Sequence, residues 1–344
     1  MRKPLPTSFE PANPMSKKPR TNLPLSDCWL SAIDSPSSLA RRLSTPGNKL
    51  TVDDLSSYAR DAGNYRLFSI VNEKGKTRHI QWPKRRLQGI HSRIHKLLSR
   101  VAVPKYLHSA VRGKSYVSNA AAHDPKMPTI KIDVKKFFPS VSRVVIFNFF
   151  AGPLKCRRDV AGLLADILTF DAHLPTGSAA SPIIAYYSFK SMFDEIAQFA
   201  ESLGLAMTCY VDDMALSGPR ANKSVLYAIK GIIARHGLKS HKAHTFSGSQ
   251  PKVVTGVCNT TAGPRVPNKL HLKIKNGFDA LAKAQTSVEE DKILRPLLGR
   301  LEAAAQIDPV FKARAKTVRA KYSRQKDAAS AQIGTSATSQ GTSS

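Results

Sequence analysis

Three carboxylates stand at the ends of apolar segments, where they could act together on a phosphate. Asp133 closes the segment TIKIDV, and Asp212 and Asp213 lie side by side in CYVDDMALSG. Carboxylates repel one another, so their convergence needs a reason, and a divalent cation such as Mg²⁺ prefers oxygen ligands of this kind. Two such ions about 4 Å apart can activate an attacking hydroxyl and stabilise a leaving oxygen. An Asp–Asp pair is also ordinary turn chemistry, so spacing alone leaves a structural role open.

The charge of the chain favours a polyanionic partner. The 344 residues include 53 Lys and Arg against 24 Asp and Glu, a net charge of +29. Residues 74–114 hold twelve basic residues and no acid, and residues 220–275 hold eleven and no acid. A charge run is often only a solvated face. Two acid-free stretches on either side of the carboxylates instead predict two walls of a groove for phosphates.

Several classes of protein are disfavoured by composition. No apolar run approaches the roughly 20 residues that span a bilayer, so we expect no membrane partner. The first residues lack the apolar stretch of a signal peptide. The cysteines, at positions 28, 156, 209 and 258, are too far apart to suggest a zinc site or a disulfide framework. Together these features predict a cytoplasmic protein.

Hydrophobic periodicity places the carboxylates on strands. Alternating residues predict a hairpin from 65–70 and 77–81 with a turn at 72–75, and strands at 129–134, 206–211, 214–217 and 252–260. Helical spacing predicts helices at 91–101, 157–170, 181–203, 222–236, 287–306 and 309–324. Ser181 is the expected N-cap of the third helix, and Ser287 opens an expected capping box. The first 27 residues, with six prolines, and the uncharged residues 328–344 are expected to be disordered.

Three motifs resemble those of one polymerase family. YVDD at 210–213 resembles the YxDD signature of reverse transcriptases, and IDVKKFFPS at 132–140 resembles their first palm motif. LPTGSAASP at 174–182 resembles the motif that opens their palm helix. The motifs occur in the family's order, and together they are highly specific.

Shorter elements narrow the resemblance to the retron reverse transcriptases of bacteria. NAAAH at 119–123 and VTG at 254–256 match the NAxxH and VTG elements of that group, and LGRLEAAAQIDP at 298–309 resembles its thumb. The resemblance covers roughly residues 50–320. It implies an α+β right-hand polymerase: fingers at 50–128, a palm with an antiparallel sheet at 129–262 and a helical thumb at 263–326. A basic, proline-rich arm and a first helical segment would occupy 1–49, and a disordered tail 327–344.

The resemblance assigns roles to individual residues. Asp133 and Asp212 would be the principal ligands of two Mg²⁺ ions, or of Mn²⁺, with support from Asp213 and the carbonyl of Val134. Phe138 would be a steric gate against the ribose 2′-OH; a plain core aromatic is the alternative.

The remaining assignments concern the nucleotide and the RNA. Arg78 would contact the incoming triphosphate unless it is one more solvated cation, and Gly177 would let the backbone approach the template–nucleotide pair. Five residues are either RNA-binding or structural: Asn119, His123, Val254, Thr255 and Gly256.

Two departures from the family pattern concern chemistry. Thr176 stands where Gln is frequent, which should alter template contacts but not the reaction. His244 stands directly before Thr245, where the family often has a Lys that protonates departing pyrophosphate, and Lys242 lies two residues earlier. Either side chain can serve as that proton donor.

The implied function is RNA-directed DNA synthesis from deoxynucleoside triphosphates. As a retron enzyme, the protein would copy part of its own non-coding RNA into branched multicopy single-stranded DNA. It would bind that RNA and the RNA–DNA product, with a separately encoded effector protein as a further partner in antiphage defence. Two alternatives stay open: a reverse transcriptase of the abortive-infection or diversity-generating type, and a catalytically silent RNA-binding protein.

Overall fold

The computed structural model describes residues 22–71, 75–248 and 250–323. Its helices are α1 Pro36–Leu43, α2 Val52–Arg60, α3 Arg85–Leu98, α4 Tyr116–Ala121, α5 Phe137–Ser140, α6 Arg143–Ala151, α7 Arg158–Leu168, α8 Ser181–Ser188, α9 Lys190–Ser202, α10 Lys223–Arg235, α11 Asn268–Lys283 and α12 Ser287–Ile307. Its strands are β1 Tyr65–Val71, β2 Thr77–Pro83, β3 Thr129–Val134, β4 Ala206–Tyr210, β5 Asp213–Ser217, β6 Ser240–Phe246, β7 Lys252–Val254, β8 Val257–Thr260 and β9 Gly263–Arg265. Residues 311–323 form a further helix. The predicted arm at 1–21, most of the 72–75 turn and the predicted tail lie outside the described residues.

A four-stranded antiparallel sheet carries the carboxylates. Its strand order is β4-β5-β3-β6, and the predicted strands at 129–134, 206–211 and 214–217 are confirmed. In β3 the side chains of Ile130, Ile132 and Val134 are fully buried, so the alternating Lys131 and Asp133 lie on the opposite face. The sheet thus has one face in the core and one that presents charged groups. The edge strand β6 was not predicted.

The turn between β4 and β5 is tight and strained. Tyr210 pairs with Asp213, so only Val211 and Asp212 form the loop. Val211 has a φ of 62°, which is rare for a β-branched residue and costs about 1–3 kcal/mol. Its amide donates to the hydroxyl of Ser109, 2.9 Å away, which helps to hold the turn. The strand pairing and this hydrogen bond hold Asp212 in the turn and Asp213 at the start of β5.

Two predicted elements are wrong in detail. The segment 181–203 is two helices, α8 and α9, separated at Phe189, and Ala180 rather than Ser181 is the N-cap. The hydroxyl of Ser181 instead donates to the carbonyl of Pro175 over 2.7 Å, which fixes the preceding loop. The segment 252–260 is a hairpin of β7 and β8, because Thr255 and Gly256 both have positive φ and form a two-residue turn.

The apolar side chains form two clusters. The larger cluster includes buried residues between 28 and 238 and unites α1, α3 and α6–α10 with the sheet. The smaller cluster includes residues between 254 and 318 with Ala120 and Ala215, and it joins β7–β8 to the C-terminal helices. Residues 22–49 therefore share the core of the sheet rather than forming a separate unit. The proposed boundaries between fingers, palm and thumb stay predictions.

The C-terminal part is helical, as expected. The cap of α12 is Thr286, whose hydroxyl accepts from the amide of Glu289, so the capping box predicted at Ser287 is wrong by one residue. The last helix was predicted to start at residue 309 and starts at residue 311. Within the described ranges, no helix has the length and apolarity that a bilayer crossing requires.

Candidate active site

The sheet brings the three predicted carboxylates to one end. Asp133 on β3 lies directly opposite Asp213 on β5 in the antiparallel register. The amide of Val134 donates to the carbonyl of Asp212 over 3.0 Å, which ties the β4–β5 turn to the end of β3. Two segments about 80 residues apart in sequence therefore meet as the motifs predict.

The carboxylates are held in an environment that disfavours their charge. Burial, together with the nearby charges of Asp133 and Asp213, raises the pKa of Asp212 to about 6. Burial also raises the pKa of Asp213, while the ammonium of Lys131 opposes that rise. The protein has placed negative charges together where they repel, so a cation is the natural occupant.

Basic side chains neutralise two of the carboxylates. Nζ of Lys131 lies 3.0 Å from Oδ2 of Asp213, and Nζ of Lys242 lies 3.2 Å from Oδ2 of Asp133. Nδ1 of His241 lies 3.0 Å from Oδ1 of Asp133, but the pair lacks hydrogen-bond geometry. The Oδ1 atoms of Asp133 and Asp213 are buried without a hydrogen-bond partner. These two oxygens are acceptors that the fold leaves unused.

The donor set suits Mg²⁺ in its chemistry. All three side chains offer carboxylate oxygens, and the two unused oxygens fit a hard cation. In the described part of the chain, no group of three or more His, Cys, Asp and Glu residues is already arranged around a common metal position. Val134 is fully buried and pairs with Ser240 on β6, and ligation through its carbonyl stays a prediction.

A bulge in β6 explains why His241 was missed. The β3–β6 register shifts between Lys131 and Asp133, and Lys242 has a φ of 48°. A bulge breaks the alternation of side chains, so the consecutive residues His241 and Lys242 both reach Asp133. Simple alternation would have placed them on opposite faces. Lys131 was also missed, although its spacing of two residues from Asp133 in a strand places both on one face.

The two proton-donor candidates differ in position. Lys242 contacts Asp133, whereas His244 is exposed, pairs with Lys131 in the strand register and has its ring 6.3 Å from that of Phe246. Lys242 is therefore the nearer of the two to the carboxylates.

The 174–182 loop is tied to the hairpin of β1 and β2. The hydroxyl of Thr176 accepts from the amide of Gln81 over 3.4 Å, and the amide of Gly177 donates to the carbonyl of Gln81 over 3.0 Å. A Cβ on Gly177 would lie 2.7 Å from that carbonyl oxygen and 3.0 Å from Cα of Trp82. Contact with β2 therefore already requires glycine at this position, and the contact predicted with the template–nucleotide pair stays a prediction.

The roles predicted for Phe138 as a steric gate and for Arg78 as a triphosphate contact stay predictions. Phe137 is buried, as expected for a core residue, whereas Phe138 is half-buried and stacks on it with ring centroids 6.2 Å apart. Arg78 is exposed on β2 of the hairpin.

The NAxxH and VTG elements meet in one junction. The ring of His123 is bonded at both nitrogens, to the hydroxyls of Ser217 and Thr208, each over 2.7 Å. Burial lowers the pKa of His123 to about 4. Nδ2 of Asn119 donates to the hydroxyl of Thr255 over 3.3 Å. Both elements therefore make structural contacts.

The rest of the VTG element forms the turn of this junction. Val254 is buried, and Gly256 has a φ of 85°, which suits a residue without Cβ. The hydroxyl of Thr255 donates to the carbonyl of Tyr116 over 2.8 Å, which ties the turn to α4. RNA binding by these residues stays a prediction.

Comparison with known proteins finds relatives in the same family that the motifs resemble. No family model matches the chain. The chain is 29% identical over 206 residues to the Retron Se72 reverse transcriptase of Salmonella heidelberg, which covers 56% of this chain and 54% of that protein. It is 26% identical over 249 residues to the Retron Ec48 reverse transcriptase of Escherichia coli, covering 65% and 60%. A solved foamy viral protease–reverse transcriptase in complex with double-stranded DNA superposes with a TM-score of 0.43 at 15% identity, covering 76% of this chain and 42% of that one.

The sequence relatives define the class. The chain is a relative of the reverse transcriptases, and it carries their motif residues on an antiparallel sheet. Several retron reverse transcriptases match the chain at 23–29% identity. The chain spans 54–60% of the length of the first three curated relatives.

Proposed function

We propose that this chain is an RNA-directed DNA polymerase. A primer hydroxyl attacks the α-phosphate of a deoxynucleoside triphosphate, a new P–O bond forms and pyrophosphate leaves. The observation that carries the proposal is the meeting of Asp133, Asp212 and Asp213 at one end of the sheet, where two buried carboxylate oxygens lack a hydrogen bond. Such a reaction needs positioning and charge stabilisation more than covalent chemistry from the protein.

The side chains divide the work of this reaction. Asp133 and Asp212 would hold two Mg²⁺ ions, with Asp213 in support; when bound, the ions supply charge stabilisation at the reacting phosphate and activation of the hydroxyl. Lys131 and Lys242 form ion pairs with Asp213 and Asp133, and the ammonium of Lys131 opposes the rise in the pKa of Asp213. Lys242 is also placed to give a proton to the leaving pyrophosphate, and His244 is the alternative donor.

The RNA partner is proposed from the net charge of the chain and from its sequence similarity to named proteins. The net charge of +29 supports binding of a polyanion, and the matched proteins are named retron reverse transcriptases. We propose that the template is part of a structured non-coding RNA encoded beside the protein. The product is then branched multicopy single-stranded DNA joined to that RNA, and a separate effector protein acts with it in antiphage defence.

The test is to express the protein with its flanking genomic DNA and to extract small nucleic acids. These are run on denaturing gels with and without ribonuclease and debranching enzyme. We expect a discrete DNA whose mobility changes on debranching. If no such DNA appears while the purified protein extends a primer on RNA, the polymerase proposal stands and the retron proposal falls.

The matched control separates polymerisation from RNA binding. The double variant Asp212→Ala with Asp213→Ala should lose DNA synthesis and keep RNA affinity. DNA synthesis by that variant would overturn the assignment of the carboxylates. Replacement of Phe138 by Ala should admit ribonucleotides, and unchanged discrimination would remove the gate role.

A further inference from the structure

A cluster of three arginines surrounds one exposed tryptophan in the N-terminal part of the core. The guanidinium groups of Arg42 on α1 and Arg100 after α3 lie 4.9 and 4.3 Å from the ring centroid of Trp29. Nε of Arg93 on α3 donates to the backbone carbonyl of Arg42 over 3.3 Å, and the charge of Arg93 lies close enough to Arg100 to lower its pKa. Trp29 is 37% exposed. Three cations and one aromatic face are thus held together by separate segments.

Among the described residues, no ion pair joins these arginines to a carboxylate. In the described ranges, the arginines that form ion pairs with carboxylates are Arg143, Arg157, Arg235 and Arg319, and none belongs to the cluster. Nη1 of Arg100 is buried without a hydrogen-bond partner. Burial lowers the pKa of Arg100, and the charges of Arg93 and Arg42 lower it further. A buried donor without a partner and repulsion between like charges both cost free energy, and a bound anion would relieve both.

The side-chain types indicate the chemistry of that anion. Guanidinium groups bind phosphate oxygens in a bidentate manner and are the preferred phosphate ligands of proteins. Trp29, which is 37% exposed beside them, offers aromatic surface that a nucleic-acid base can contact. A phosphodiester strand supplies both groups, whereas a carboxylate or free phosphate supplies only the anion.

Further basic residues precede the cluster in the sequence. The amide of Leu23 donates to the carbonyl of Arg100 over 3.0 Å, so the described chain begins beside the cluster. Lys17, Lys18 and Arg20 stand directly before this point in the sequence. The cluster is therefore continuous in sequence with further basic residues, as a footprint on a nucleic-acid backbone requires.

We propose that Trp29, Arg42, Arg93 and Arg100 form a phosphodiester-binding subsite for the RNA partner, on segments that carry none of the catalytic carboxylates. The inference rests on the proposed function, because it gives that function's RNA a second point of attachment. Its role is affinity and orientation of the RNA, and it takes no part in the chemical step.

The test compares two double variants of equal charge. Arg42→Gln with Arg100→Gln removes the cluster, and Arg41→Gln with Arg60→Gln removes two exposed arginines from α1 and α2. Affinity for a fluorescein-labelled RNA stem-loop is measured by anisotropy across a salt series, and a DNA stem-loop of the same sequence distinguishes RNA from DNA phosphates. We expect the cluster variant to bind RNA about tenfold more weakly or worse. Its slope of log affinity against log salt should fall by about 1.4.

Controls keep the result interpretable. Circular dichroism and the thermal midpoint establish that each variant is folded, and Arg42→Lys with Arg100→Lys, which keeps the charge, should lose less affinity than the glutamine pair. Extension of a short unstructured primer–template at saturating concentration should match wild type. Equal affinities of the cluster variant and wild type, or equal losses in both glutamine variants, would overturn the subsite. Selective loss with DNA alone would also overturn it as an RNA site. Failure of wild type to extend any primer would instead overturn the proposed function.

Discussion

Two polar regions lie on the same sheet and differ in how their hydrogen-bonding groups are satisfied. At the carboxylate end, Oδ1 of Asp133 and Oδ1 of Asp213 are buried and unbonded, and the pKa of Asp212 is raised to about 6. At the junction of the NAxxH and VTG elements, both nitrogens of His123 bond to hydroxyls on β4 and β5. Side-chain amides also bond there, since Asn259 donates to the carbonyl of His123 over 2.6 Å.

The difference separates groups that bind a ligand from groups that build the fold. A satisfied buried polar group stabilises one arrangement of the chain, whereas an unsatisfied one costs free energy until something binds it. The NAxxH and VTG elements therefore act as a joint between α4, the sheet and the β7–β8 hairpin. The carboxylates, by contrast, leave buried oxygens without hydrogen bonds, which fits the cation binding proposed for them.

The largest expected effect comes from neutralising one carboxylate. Asp212→Asn should lower primer extension by about 10³-fold or more, because a metal ligand that stabilises transition-state charge contributes several kcal/mol. The midpoint of chemical unfolding should stay the same or rise, because the change removes a buried charge that Asp133 repels. Steady-state primer extension and urea denaturation measure the two quantities.

The matched control for this change is Asp171→Asn, which neutralises an exposed carboxylate. It should leave both activity and stability near wild type. A large loss of stability in Asp212→Asn would show that this carboxylate stabilises the fold, which would contradict its assignment to ligand binding.

The junction should behave in the opposite way. His123→Ala removes both ring bonds and leaves the buried hydroxyls of Ser217 and Thr208 without partners, so the free energy of unfolding should fall by about 2–4 kcal/mol. Primer extension per folded molecule, measured well below the unfolding midpoint, should stay within twofold of wild type. His79→Ala removes an exposed ring bonded to Ser69 and should change stability little. Loss of activity without loss of stability would make His123 a functional residue.

The sequence predicted the carboxylate end of the sheet better than its surroundings. Asp133, Asp212 and Asp213 stand in short motifs whose order is specific, and strand alternation was enough to place them. His241 escaped because the bulge at Lys242 depends on the pairing of β3 with β6, which is set by tertiary contacts. The same limit applies to the cluster around Trp29, whose arginines are 58 residues apart in the sequence.

Two errors in the predicted elements also lie where the local sequence gives no signal. The break at Phe189 contains neither Gly nor Pro, so nothing in the periodicity of 181–203 signals it. The turn at Thr255 and Gly256 lies between two apolar pairs of residues, which read as one strand. In both cases, packing against other elements decides the backbone.

Lowering the pH should affect the two regions differently, reducing activity at the carboxylate end and stability at the junction. Asp212 takes a proton below a pH of about 6 and then cannot ligate a cation, so kcat/KM at limiting Mg²⁺ should fall about tenfold per pH unit below that value. His123 has a pKa lowered from 6.5 to about 4, so its contribution to stability is complete above pH 6.5 and is lost as pH falls toward 4. The raised pKa of Asp212 has the opposite effect on stability. Protonation of Asp212 stabilises the fold relative to its carboxylate form, so this contribution grows as pH falls. Rate profiles and urea denaturation at each pH check both trends, and parallel loss of activity and structure would contradict them.

The smallest expected effect is at Asn119, the one member of the junction whose bonding is incomplete. Oδ1 of Asn119 is buried without a partner, and Nδ2 makes a single bond to the hydroxyl of Thr255. That hydroxyl still donates to the carbonyl of Tyr116 when the amide is removed. Asn119→Ala should therefore lower the free energy of unfolding by only about 1 kcal/mol, with RNA affinity unchanged because the side chain is fully buried. Thr255→Val, which removes both bonds, should cost more. If Asn119→Ala lost RNA affinity at unchanged stability, the NAxxH element would be assigned to RNA binding rather than to a structural role.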